Sequence, residues 1–157
     1  MKQRRLFATL LLAAIAALAI AGPASAAKLV GAGADQGGRQ LTTTLTGGQE
    51  VPVPGDTDGI GFATVTVNPG QGVLCYELSV SGIATATAAH IHEAPVGVAG
   101  PVVMEAPLKT PTEGFSSDCV EVGRVLAKDI LKNPADYYVN VHNADFPGGA
   151  LRGQLSR

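Results

Sequence analysis

Short strand-forming runs, separated by turn-forming clusters, begin at Gln40 and continue to the end of the chain. Threonine, valine, leucine and tyrosine fill the runs, and glycine, proline, asparagine and aspartate fill the gaps between them. Because alternate residues of a strand point to opposite faces, the alternating apolar residues predict sheets that cover a core with one face. Roughly seven such runs at this spacing predict an all-β domain, an antiparallel β-sandwich.

The same pattern predicts the individual elements. The turn chemistry of residues 68–72 predicts a hairpin between two of the runs. Residues 123–132 instead carry apolar side chains at helical spacing and precede Asn133-Pro134, so one short helix is predicted there. The predicted strands cover residues 41–45, 62–67, 73–80, 86–92, 102–105, 115–120, 137–142 and 151–155.

Residues 1–26 have the composition of a secretory signal peptide. Basic residues precede the apolar run 6–21, and Ala24-Ser25-Ala26 offers the small residues of a cleavage site. The alternative is a membrane anchor, but the run is shorter than the roughly 20 apolar residues that a span needs. We therefore expect a secreted, extracellular or periplasmic protein with a flexible tether at 27–39, a domain at 40–157 and no transmembrane segment after signal removal.

The charge balance argues against some partners. The chain has 11 basic and 13 acidic residues, and the signal peptide removes three basic residues and no acidic one. The mature domain is therefore acidic and without basic runs, which argues against a nucleic-acid partner.

The chain has two cysteines, Cys75 and Cys119. An even pair in an exported domain predicts a disulfide bond. The alternative is a thiol metal ligand or nucleophile, which the absence of a C-x-x-C spacing disfavours.

The three histidines of the chain suggest a metal site. His90 and His92 stand two positions apart on a predicted strand, so their side chains share one face. His142 ends another predicted strand, and if the two strands are neighbours, three imidazoles could surround one copper or zinc ion. The alternative is that the histidines are hydrogen-bonded or face solvent.

Two charged residues could assist such a site. Glu93 could orient an imidazole from the second shell, or it could be an exposed charge. Arg152 could attract an anion towards the histidines or pair with Asp145 or Glu93, but a structural hydrogen-bonding role is favoured. No serine has a nucleophile motif and no phosphate-binding glycine loop is present, so no catalytic residue is predicted.

Three motifs occur in order along the chain: LTGGQEVP at 45–52, AHIHEAP at 89–95, and a closing segment at 133–155 that contains NPADYYVNVH and FPGGALRGQL. They resemble the opening, middle and closing motifs of the CHRD (chordin-type) domain family, over residues 40–155. The resemblance implies an extracellular domain, as in animal chordins and many bacterial exported proteins. It also implies an immunoglobulin-like, Greek-key β-sandwich distantly similar to copper/zinc superoxide dismutase.

Through that distant similarity, His90, His92 and His142 look like copper ligands and Arg152 looks like an active-site arginine. The chain departs from the dismutase pattern, since it has no fourth histidine to bridge a second metal and no zinc-binding histidine cluster. We therefore expect a non-enzymatic extracellular binding or structural module whose partner is an extracellular protein or a matrix component. The alternative is a mononuclear copper or zinc site on the three histidines with dismutase-like redox activity.

Overall fold

In a computed structural model of the protein, the described residues form one curved antiparallel sheet with a single α-helix. It describes residues 37–104 and 107–157, so the predicted signal peptide and residues 27–36 of the predicted tether lie outside the described residues. Single-turn 3-10 helices occur at Gly47–Gln49 and Pro134–Asp136. The strands and the helix are β1 (Arg39–Thr46), β2 (Ile60–Asn68), β3 (Val73–Ser81), β4 (Ala86–Glu93), β5 (Phe115–Glu121), α1 (Arg124–Lys132), β6 (Tyr137–Asn143) and β7 (Leu151–Gln154).

The strands lie in the order β4-β6-β7-β1-β2-β3-β5, and every neighbouring pair is antiparallel. The predicted hairpin joins β2 to β3, but Asn68 still pairs with Val73, so its loop is one residue shorter than predicted. β1 connects the two halves of the sheet, since Thr46 pairs with Arg152 of β7.

The sheet curls so that its two halves enclose one core. In a flat sheet, β3 and β4 would be about 24 Å apart, five strand spacings. However, the hydroxyl of Tyr76 on β3 accepts a hydrogen bond from Lys109 N at 2.5 Å, and the adjacent Leu108 donates to Ala89 O on β4 at 3.0 Å. The inward side chains form one cluster that includes Leu41, Leu45, Val65, Leu74, Tyr76, Leu78, Ala89, Ile91, Tyr137, Val139, Val141 and Leu151.

Helix α1 covers part of this core, and its position confirms the prediction of one short helix within residues 123–132. Ala127 and Ile130 are buried, whereas Val125 on the opposite side is 86% exposed. The backbone N–H of Asn133 bonds to Asp129 O, and Pro134 then ends the helical run because it has no N–H to donate. The all-β prediction with one short helix is confirmed at this level.

One predicted strand is wrong. Residues 102–105 were expected to form a strand, but in the described part Val102 makes only an isolated bridge to His92, and Val103 N donates to Ile91 O. Pro101 and Pro107 flank this segment, and proline cannot donate to a ladder. The segment therefore follows the free edge of β4 without extending the sheet.

The predicted disulfide is present. Cys75 on β3 and Cys119 on β5 are directly opposite each other in the strand register, with Cα atoms 3.9 Å apart. The bond thus joins the edge strand β5 to its neighbour. None of the helices in the described ranges is long and apolar enough to cross a membrane.

Candidate metal centre

The pairing of β4 with β6 brings the three histidines together. Ala88 is opposite His142 in the register, and His90 and His92 follow on the same face of β4. The ring centroids of His90 and His142 are 5.1 Å apart, and those of His90 and His92 are 5.7 Å apart. Alanine opposite His142 leaves room for the imidazoles, while Ala89 and Ile91 point into the core.

The spacing of the ring nitrogens fits a single metal ion after a small adjustment. One nitrogen from each histidine lies within 4.8 Å of the other two. Metal–nitrogen bonds near 2.0–2.1 Å in a tetrahedral site need nitrogens about 3.4 Å apart. Side-chain rotations that move the rings by roughly 1 Å would therefore complete the site.

Hydrogen bonds from two of the rings fix which nitrogen is available. Nδ1 of His92 is 2.9 Å from Gly100 O, and Nδ1 of His142 is 3.0 Å from Pro147 O. A carbonyl oxygen only accepts, so each Nδ1 carries the proton and donates it. The Nε2 lone pair of each ring is then free to bind a metal, as in metal sites where a carbonyl orients the ligand.

Three ring nitrogens are buried and have no hydrogen-bond partner among the described residues: His90 Nδ1, His92 Nε2 and His142 Nε2. Each histidine supplies one of them. A buried nitrogen without a partner costs free energy, and such groups are rare in native proteins. A shared metal ion would satisfy all three at once.

The electrostatic environment keeps these rings in the form that binds metals. Burial is the main cause that lowers the pKa of all three imidazoles. For His90, the neighbouring His142 and His92 lower it further, whereas for His142 the bond to Pro147 acts in the opposite direction. The rings are therefore neutral at neutral pH, and a neutral imidazole is the ligating form.

Arg152 on β7 is opposite Asn140 in the register and is only 2% exposed. Its Cζ is 3.5 Å from the centroid of the Tyr138 ring, and its NH1 and NH2 donate to Val98 O and Pro95 O at 2.8 and 3.0 Å. These contacts favour the hydrogen-bonding role over the anion-attracting one. Glu93, by contrast, is exposed and follows His92 on the opposite face of β4, so the structure does not bring it to the cluster.

A buried carboxyl group that the sequence did not single out lies beside the site. Asn140, the register partner of His90, donates from Nδ2 to Glu50 Oε1 and to Leu151 O. A side chain at Gly149 would overlap the Glu50 carboxyl group, so glycine makes room for it. Tyr138, Asn140 and His142 are two positions apart on β6, so they lie on the same face of the strand. This spacing is the sequence signal that could have indicated Tyr138 and Asn140.

Burial raises the pKa of Glu50 to about 7, although the positive charge of Arg152 and the bonds from Asn140 and Val51 act in the opposite direction. The folded value thus exceeds the ordinary value of 4.5, and the native state holds a proton that the unfolded chain lacks between these pH values. The protonated Glu50 side chain therefore favours the folded state. Its contribution to the free energy of unfolding is fully present below pH 4.5 and is lost as the pH rises to about 7.

We expect Glu50→Gln to remove this pH dependence, because glutamine accepts the Asn140 bond without ionising. The wild-type free energy of unfolding should fall, relative to the variant, by up to about 1.4 kcal/mol per pH unit between pH 4.5 and 7. Urea unfolding of both proteins at pH 4.5, 5.5, 6.5 and 7.5 measures this difference. A constant difference across the series would contradict it.

A family model described as the CHRD domain matches residues 41–155. This range covers most of the chain and includes all three histidines, both cysteines, Glu50 and Arg152. No curated protein and no solved structure matches the chain.

Proposed function

We propose that this chain, which belongs to the CHRD domain family, is an exported domain that binds one transition-metal ion through His90, His92 and His142. The observation that carries the proposal is the set of three buried ring nitrogens, one per histidine, that have no hydrogen-bond partner among the described residues. One ring nitrogen from each histidine lies within 4.8 Å of the other two, which adds geometric support.

The donor set favours copper(II), with zinc as the second choice. Three imidazole nitrogens suit either ion, and copper(II) binds more tightly than other divalent first-row metals at such sites. Both cysteines form the disulfide, so no thiolate is available to favour a softer ion. Three protein ligands leave a coordination position open, as in catalytic rather than purely structural sites.

Metal binding does not by itself make this domain a dismutase. A copper ion held by three imidazoles could change oxidation state, which is the chemistry that it would supply. However, the guanidinium of Arg152 is buried and its nitrogens donate to Val98 and Pro95, which leaves it poorly placed to draw an anion to the site. We therefore propose metal binding without assigning an enzymatic activity.

The proposed location is outside the cytoplasm, as a secreted or periplasmic domain. Membership of an extracellular family supports this location, and so does the disulfide, which persists in oxidising compartments.

We also propose an immunoglobulin-like sandwich. Its support is the division of the curled sheet into β5-β3-β2-β1 and β4-β6-β7, since immunoglobulin domains of the constant type have sheets of four and three strands.

A second candidate function is binding of an extracellular protein or matrix component. The segment after β4 exposes Val96, Val98 and Val102, the first of them by 74%. Exposed apolar residues that cluster on a loop often mark interaction surfaces. This candidate needs no metal, so it remains available if the metal proposal fails.

Calorimetric titration of the mature, disulfide-bonded protein with copper(II) and with zinc tests the first proposal. We expect one copper ion per chain, with affinity that falls as the pH is lowered because protons compete for the imidazoles. Heats no larger than dilution for both metals would contradict it. The search should then turn to extracellular proteins that the wild type captures and the double variant Val96→Ser/Val98→Ser does not.

A further inference from the structure

We infer that Tyr138 and Arg152 are positioning residues for His92: they hold the backbone of Gly100 in place, and the Gly100 carbonyl sets which ring nitrogen of His92 is free. The importance of this role for metal binding rests on the proposed function. The effect on the His92 ring itself does not, because it exists in the protein without metal.

The backbone of Gly100 connects His92 with Tyr138. Its carbonyl oxygen accepts the bond from His92 Nδ1 at 2.9 Å, and its N–H donates to the Tyr138 hydroxyl at 3.1 Å. A side chain at this position would overlap the carbonyl of Glu93, so the close approach requires glycine. Any movement of the Gly100 backbone would therefore alter the hydrogen bond that keeps the proton on Nδ1.

The Tyr138 ring also contacts the imidazole directly. Its centroid is 4.9 Å from that of His92, and the two ring planes are 13° apart. This stacked arrangement restricts rotation of the His92 ring about its own bonds. The guanidinium of Arg152 lies over the same Tyr138 ring at 3.5 Å, a distance at which a cation and an aromatic ring attract each other.

Arg152 additionally holds the loop that carries Gly100. NH1 donates to Val98 O, and NH2 donates to Pro95 O, so both carbonyls are fixed shortly before Gly100. Gln154, two residues along β7, donates to Ala94 O at 2.7 Å and extends the attachment. Without the guanidinium Val98 O would lose this donor and Pro95 O would keep the bond from Val98 N, so the loop would be held less firmly before Gly100.

The consequence is a specific tautomer of His92. Which ring nitrogen carries the proton is set by the bond that the other nitrogen makes. While Gly100 O accepts from Nδ1, Nε2 keeps its lone pair and is buried without a hydrogen-bond partner among the described residues. If Gly100 moved away, the proton could transfer to Nε2 and block the proposed ligand atom. Loss of such supporting groups typically weakens metal binding by roughly 10- to 100-fold.

Nitrogen-15 NMR of the metal-free protein at pH 7.5 tests this inference, because it distinguishes imidazole protonated at Nδ1 from imidazole protonated at Nε2. In the wild type we expect His92 to be protonated at Nδ1. In Tyr138→Leu and Arg152→Gln we expect a mixture of the two tautomers. Tyr138→Phe, which keeps the ring but removes the hydroxyl, guards against a variant that fails to fold, and it should give a smaller shift in the same direction.

Tyr137→Phe is the matched control. It removes a neighbouring tyrosine hydroxyl, which donates to Asp129 Oδ2 at 2.6 Å on the other face of β6, and it should leave the His92 tautomer unchanged. Unchanged His92 signals in folded Tyr138→Phe and Arg152→Gln would overturn the inference.

A copper titration of the same proteins separates this inference from the proposed function. We expect Tyr138→Leu to bind copper(II) roughly 10- to 100-fold more weakly than the wild type and Tyr137→Phe to bind equally well. If the wild type binds no metal, the proposed function fails, and the tautomer result alone decides the inference. If Tyr138→Leu binds copper as tightly as the wild type, the positioning role at the metal centre is overturned.

Discussion

Replacing His92 with alanine is expected to weaken copper(II) binding by roughly 100- to 1,000-fold. Structural zinc sites with four ligands gain about 10–16 kcal/mol, so each ligand accounts for about 2.5–4 kcal/mol, and each 1.4 kcal/mol is tenfold in affinity. The other two histidines would remain, but the pair left behind binds far less tightly than the set of three. Calorimetry with the wild type and the variant in parallel measures the loss.

The fold should survive this change, because the outward His92 ring lies outside the core cluster beneath β4. Thr87→Ala provides a matched control, since it truncates an exposed residue on the same strand. The control should bind copper like the wild type, and circular dichroism should show the same sheet content in all three proteins. One-to-one binding of equal affinity in His92→Ala would show that the metal binds elsewhere.

Removing the disulfide with Cys75→Ala/Cys119→Ala is expected to lower the free energy of unfolding by up to about 4 kcal/mol. The bond closes a loop between residues 44 positions apart, and the chain-entropy model assigns a loop of that length about this value. For a domain of this size, the melting temperature should fall by roughly 10–15 °C. Thermal and urea unfolding of the variant and the oxidised wild type measure both quantities.

Reduction provides the control for this second experiment. A reducing agent should lower the stability of the wild type to the level of the variant and leave the variant unchanged. Copper binding should persist in the folded variant, because the disulfide joins β3 to β5 while the histidines lie on β4 and β6 at the other end of the strand order. A decrease in the free energy of unfolding below about 1 kcal/mol would contradict the prediction. It would mean that the unfolded chain gains little conformational freedom without the disulfide.

Local sequence patterns predicted the strands well, because each strand covers the core with one alternating face. Residues 62–67 illustrate this, since Ala63, Val65 and Val67 are all buried as the alternation indicates. The pattern failed at 102–105, where Pro101 and Pro107 flank the segment and neither can donate to a ladder. Residue type within the segment favoured a strand, and the backbone chemistry at its ends prevented one.

The sequence predicted the histidine cluster only on the condition that the strands carrying His90 and His142 are neighbours. Spacing placed His90 and His92 on one face of a strand, but only the pairing of β4 with β6 places His142 beside them. The supporting residues were harder to identify. Glu50 reaches Asn140 across 90 positions of sequence, and Arg152 reaches Val98 across 54, so no local pattern could reveal either contact. Such contacts follow from the curl of the sheet and the path of the loop after β4.

The strand order also bears on the sequence of events during folding. β1, β2 and β3 are neighbours in both sequence and space, and short loops close quickly because they lose little entropy. β4 and β6 are separated by β5 and α1 along the chain, so their pairing is expected to come late. An ion that requires both strands would bind only the finished domain. It would therefore slow unfolding without speeding folding, and the loaded protein would persist longer than its folding rate alone would suggest.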